Sequence, residues 1–115
     1  MPGVLERLAR GIEMTPADYL AALERRDRIR RKVAEVVSDA TCFITLASSG
    51  PAPLGHADTG SRAFLSPWSM VGGPSFSLPL LSVDHMPLGV QLMGLPDTDE
   101  NLTGIAHWIC RFLQV

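Results

Sequence analysis

The sequence predicts an α/β protein with a sheet of about three strands and three to four helices. Three observations carry that reading. Apolar residues recur at three- and four-residue steps near both ends of the chain, as on one face of a helix. Between those helical stretches lies a short continuous apolar run, Cys42-Phe43-Ile44-Thr45-Leu46, of the kind that fills a strand buried on both faces, which suggests a parallel or mixed sheet. Two further segments, Ser75-Phe76-Ser77-Leu78 and Leu88 to Met93, alternate with the period of two that belongs to strands.

The elements follow in order. Residues 2–10 place Val4, Leu5 and Leu8 on one helical face, and Gly11 stands where a helix end favours glycine. Thr15-Pro16-Ala17-Asp18 reads as a helix start, with Thr15 as cap, Pro16 in the first turn and Asp18 three residues after the cap. The helix carries Tyr19, Ala22, Leu23, Ile29, Val33, Val36 and Val37, and should end near Val37. After the first strand, residues 47–60 are rich in serine, glycine and proline and form a long loop, which in a compact domain is usually a binding loop or a covered one. Residues 63–70 make one or two helical turns with Phe64, Leu65 and Trp68, and Gly72-Gly73-Pro74 ends them. The two alternating strands are joined through Asp84, His85 and Pro87, which suits a hairpin or a short excursion. Asp97 to Glu100 resembles a capping box, and Leu102, Ile105, Ala106, Ile109, Phe112 and Leu113 form a last helical stripe.

A length of 115 residues suits one domain with one core, and 46% hydrophobic against 19% charged residues excludes a disordered chain. A net charge of −2 supplies no broad field for phosphate backbones, so no nucleic-acid partner is expected. The basic run Arg25 to Lys32 is interrupted by Asp27 and flanked by Glu24 and Glu35, and reads as the polar side of an amphipathic helix. No apolar run approaches the roughly 20 residues that span a bilayer, and Met1-Pro2-Gly3-Val4 does not begin a signal peptide, so a cytoplasmic location and no membrane partner are expected. Cys42 and Cys110 have no closely spaced ligand pattern and read as small buried hydrophobes. Three buried-type strands leave open edges, which need more sheet or another subunit, so a chain standing alone should be a homo-oligomer.

Several blocks together resemble the last hundred or so residues of amidase-signature enzymes. They are Tyr19-Leu20-Ala21-Ala22-Leu23, Asp39 before an apolar strand, Pro51-Ala52-Pro53-Leu54-Gly55, Thr59-Gly60, Phe64, Pro67-Trp68, Gly73-Pro74 and Ser77-Leu78-Pro79. The most specific block comes last, Met86-Pro87-Leu88-Gly89-Val90-Gln91-Leu92-Met93-Gly94, followed by acidic Asp97 and Asp99. Leu46, where such enzymes commonly have proline, and Ser61-Arg62, where an aspartate is frequent, depart from the pattern.

The resemblance implies an α/β fold in which residues 1–115 form a single domain, the C-terminal segment of a larger mixed sheet. In the intact family it implies hydrolysis of a carboxamide to an acid and ammonia through an acyl-serine, with no metal or organic cofactor. A glycine- and serine-rich signature and a Ser, cis-Ser and Lys triad perform that chemistry upstream of the matched region, so no catalytic residue is assigned here. The expected partner is the remainder of an amidase fold or a second copy. Phe64, Trp68, Gly73 and Pro74 are the substrate-pocket candidates, with core packing as the rival role for the aromatic pair.

Other chemistry is thinner. The single lysine, Lys32, lies beside Arg30 and Arg31, whereas a proton-relaying lysine needs burial or neighbouring charge to be neutral. Ser48-Ser49-Gly50 lacks the flanking glycines that would offer oxyanion-stabilising amides. Cys42 with His56, His85 or His107 could form a nucleophile pair, and the histidines with Asp58 or Asp84 could bind a metal, but no close-spaced pair supports either.

Overall fold

The computed structural model describes residues 2–114. Seven elements follow the chain: α1 (Pro2–Glu13), α2 (Pro16–Val36), β1 (Phe43–Leu46), α3 (Leu65–Val71), β2 (Ser75–Val83), β3 (Met86–Met93) and α4 (Asp99–Leu113). The α/β class, with three strands and four helices, is as predicted. Two compact units divide the chain, one running to Glu35 and the other starting at Val36.

The first unit is helical. Its α2 begins at a reciprocal cap: the Thr15 hydroxyl donates to Asp18 Oδ2 at 2.6 Å and accepts from the Asp18 N–H at 3.2 Å, while the Thr15 N–H donates to the same carboxylate at 3.2 Å. These bonds engage amide groups that a helix start leaves without intrahelical partners. They also hold the Asp18 carboxyl below its ordinary value of 3.8, first through the Thr15 hydroxyl and then through its N–H. Gly11 does not end α1 as the sequence suggests; the helix runs through it to Glu13. No residue of α2 is buried.

The second unit is a three-stranded sheet in the order β1-β3-β2, with both pairings antiparallel. The parallel or mixed pairing suggested by the run at 42–46 is thus not found among the described strands. A two-residue turn fixes the direction of β2 against β3, because Asp84 and His85 both take positive φ (51° and 62°), as a type I′ hairpin requires. β2 is longer than predicted: it continues past Pro79 because an irregularity between Leu78 and Leu81 absorbs the residue that cannot donate.

Period-two alternation gives the sheet two faces. On one, Ile44, Leu92 and Phe76 stand in one cross-strand row and Leu46, Val90 and Leu78 in the next. α4 packs over β2 and β3 on this face, and Leu78, Leu92, Leu102 and Ala106 form the core cluster, with Cys42, Leu80, Ile109 and Cys110 against it. α4 packs chiefly over β2 and β3, while Ile44 is 65% exposed, so β1 is not buried on both faces. The other face carries the polar row Thr45–Gln91–Ser77.

The predicted capping box at Asp97 to Glu100 does not form. Asp97 takes φ 65°, the cap is Thr98, and its hydroxyl donates to the Leu95 carbonyl at 2.7 Å instead of capping α4.

Candidate functional site

Three of the four pocket candidates meet in one junction. α3 ends at Gly72, whose φ of 79° suits glycine and whose N–H donates to the Trp68 carbonyl at 2.9 Å. The chain then turns back so that the Trp68 indole N–H donates to the Pro74 carbonyl at 3.3 Å. That carbonyl also accepts from the Gly94 N–H at 3.0 Å. Trp68 is buried and its ring lies 5.2 Å from that of Phe43, tilted by 52°, a separation and tilt that aromatic pairs favour. Gly73 has a steric reason for its identity: a Cβ there would run into the Gly94 carbonyl oxygen. Phe64 is half-buried at the start of α3.

The block Met86 to Gly94 occupies β3 and the residue after it, and its glycines have the same kind of reason. A Cβ on Gly89 would meet the Ser77 hydroxyl and the Ala47 methyl, and one on Gly94 would meet the Thr98 hydroxyl. Between them Gln91 is only 2% exposed, and its side-chain oxygen Oε1 has no hydrogen-bond partner. An orphaned buried polar atom of this kind costs about 1–3 kcal/mol. Sequence reasoning did not single Gln91 out, although a glutamine at the middle of an otherwise apolar strand was the available signal.

A recess of about 460 Å³ lies elsewhere, along the long loop and Pro87. Its walls are turns: Ser48 donates to the Gly50 carbonyl, Asp58 accepts from the Gly60 N–H at 3.1 Å, and Gly60 takes φ 86°. None of Phe64, Trp68, Gly73 and Pro74 lines it. A second hollow of about 420 Å³ runs along α4 beside His107, Trp108, Arg111 and Phe112, where the Trp108 and Phe112 rings stack at 5.6 Å.

The other chemical candidates are dispersed. Lys32 is 73% exposed and pairs with Glu35 at 3.0 Å, with no serine of the Ser48-Ser49-Gly50 loop among its hydrogen-bond partners. Cys42 and Cys110 are free thiols packed against the core cluster, whereas His56, His85 and His107 are exposed. Among the described residues no group of three or more His, Cys, Asp or Glu side chains could hold a metal ion, and no helix is long and apolar enough to cross a membrane.

No family model matches the chain, and no curated protein matches it. Among solved structures it is similar to one described as a crystal structure of amidase, with a TM-score of 0.79 and 28% sequence identity. That superposition takes in 95% of this chain but spans only 28% of the length of the amidase. The chain has an amidase-like α/β fold.

Proposed function

We propose that this chain is the C-terminal segment of an amide hydrolase of the amidase-signature family and that it hydrolyses nothing by itself. The observation that carries the reading is the superposition of nearly the whole chain, at 28% identity, on little more than a quarter of an amidase. The ordered blocks from Tyr19 to Gly94 support the signature family in particular. In the intact enzyme a serine would attack the carboxamide carbonyl, ammonia would leave, and water would release the acid from the acyl-serine. The serine-rich signature and lysine that such chemistry requires have no counterpart here, since the single lysine is the exposed, ion-paired Lys32. The segment would supply part of the sheet and, through Phe64, Trp68, Gly73 and Pro74, one side of the substrate region.

Purified chain incubated with a panel of small carboxamides tests this reading. The expected result is no ammonia release. Turnover that survives Lys32→Ala would reveal a site unlike the family's and sink the proposal.

A second reading is a non-enzymatic module that homodimerises or docks to another chain. Ile44, Trp108 and Phe112 favour it, being large apolar side chains 64–71% exposed on one small unit. Light scattering after size exclusion separates the two: a stable dimer supports the module, and a monomer that also lacks activity supports the segment.

A further inference from the structure

We infer that the outward face of α4 is a self-pairing surface whose occupant is a second copy of this chain, the two helices lying antiparallel about a two-fold axis level with Ala106; this rests on the reading of a homodimerising module and names its contact. The inward side of α4 is set by Leu102, Ala106 and Ile109, which pack with the sheet residues Leu78 and Leu92. Opposite them, steps of four, four and three residues align Glu100, Gly104, Trp108 and Arg111 on one exposed stripe. Gly104 has open space where a side chain would stand, and the hollow of about 420 Å³ beside it is walled by His107, Trp108, Arg111 and Phe112. The Trp108 ring is held at the rim of that hollow by its stack on Phe112.

The stripe complements itself. Ala106 is the midpoint of α4 (Asp99–Leu113). In an antiparallel pair centred there, Trp108 of each copy stands level with Gly104 of the other, so each ring meets a hole and each hole a ring. Arg111 comes level with Asn101 of the other copy, about 1.5 Å along the axis from Glu100, and a guanidinium meets a carboxylate at both ends. Among the described residues neither Glu100 nor Arg111 makes an ion pair within its own chain. The acidic first turn of one helix also faces the basic last turn of the other, an arrangement that opposed helix dipoles favour.

The choice of occupant follows from that symmetry. A foreign partner does not require ring and hole, or cation and anion, to lie at equal distances from the centre of one helix, whereas a two-fold pair requires both. A single pair of helices is small against the roughly 1,200–2,000 Å² of a stable interface, so protein concentration should control the dimer.

Sedimentation equilibrium on the purified chain, from about 1 µM to about 1 mM, tests the pairing. The mass should rise from 12.4 kDa toward twice that value, and tryptophan emission should move to the blue over the same range as Trp108 leaves water. Trp108→Ala should weaken association at least about tenfold. Gly104→Leu should do the same by filling the hole, while circular dichroism keeps or gains helix, so that the loss is not one of folding. Arg111→Glu should weaken pairing through like charges at both ends, and adding Glu100→Arg should restore it. A dimer that all three single changes leave intact would overturn α4 as the contact while the homodimerising module stands. A monomer at every concentration would overturn both.

Discussion

The unit from Val36 onward and the unit up to Glu35 each carry a clearly amphipathic helix, α4 and α1, yet all the described buried hydrophobic residues lie in the former, from Trp68 to Ala106. Leu102 and Ala106 of α4 meet Leu78 and Leu92 of the sheet. In α1, by contrast, Val4, Leu5, Leu8 and Ile12 form an equally regular stripe that is 59–79% exposed. Periodicity therefore specifies a helix and its apolar face but not what covers that face. Helices this short hold marginally without packing, so the cooperative stability of the molecule should reside after Val36. The first unit relies on local devices such as its Thr15–Asp18 cap.

Mutations can break or sharpen that contrast. The largest effect is expected from Leu92→Ala, at a fully buried position, which should cost about 2–5 kcal/mol in urea denaturation. Val4→Ala in α1 should stay within about 0.5 kcal/mol; an equal loss at both sites would mean that α1 shares the core. Next comes one substitution made in both regions. Gly73→Ala drives a methyl into the Gly94 carbonyl and should destabilise by about 1–3 kcal/mol. Gly11→Ala, within a helix and with open space around it, should raise helicity by about 0.5–1 kcal/mol. The same sign at both glycines would refute the distinction.

Thr15→Ala removes the cap and should cost α2 about 1 kcal/mol, read as lost helical ellipticity with the 36–115 transition unmoved. The smallest effect is that of acid. Because the Asp18 carboxyl is held below 3.8 when folded, its contribution is complete above that value and disappears as pH falls through the lower folded one. Helicity of α2 should therefore fall on acidification below that range, and Asp18→Asn should remove the dependence.

What was legible follows the range of the interactions. The Thr15–Asp18 cap, the Asp84-His85 turn and the α4 stripe depend on neighbours within a few residues, and each stands where the sequence put it. The second capping box failed because Asp97 adopts a left-handed backbone and Leu95 draws the Thr98 hydroxyl, a choice made by how the chain leaves β3. Antiparallel pairing of β1 was hidden because an apolar run looks alike in either direction. At the candidate site, Trp68 and Pro74 were picked out singly, but their hydrogen bond requires α3 and β2 to fold back on each other. The loop recess and the buried Gln91 likewise exist only after distant segments meet.

The placement of the aromatic residues gives the molecule its own optical labels. Tyr19, the single tyrosine, lies in α2, and both tryptophans lie after Val36. Excitation at the red edge of the spectrum therefore observes the second unit alone. Within it, enclosed Trp68 should emit to the blue and water-exposed Trp108 to the red, so one unlabelled sample distinguishes melting of the interior from occupation of the α4 surface.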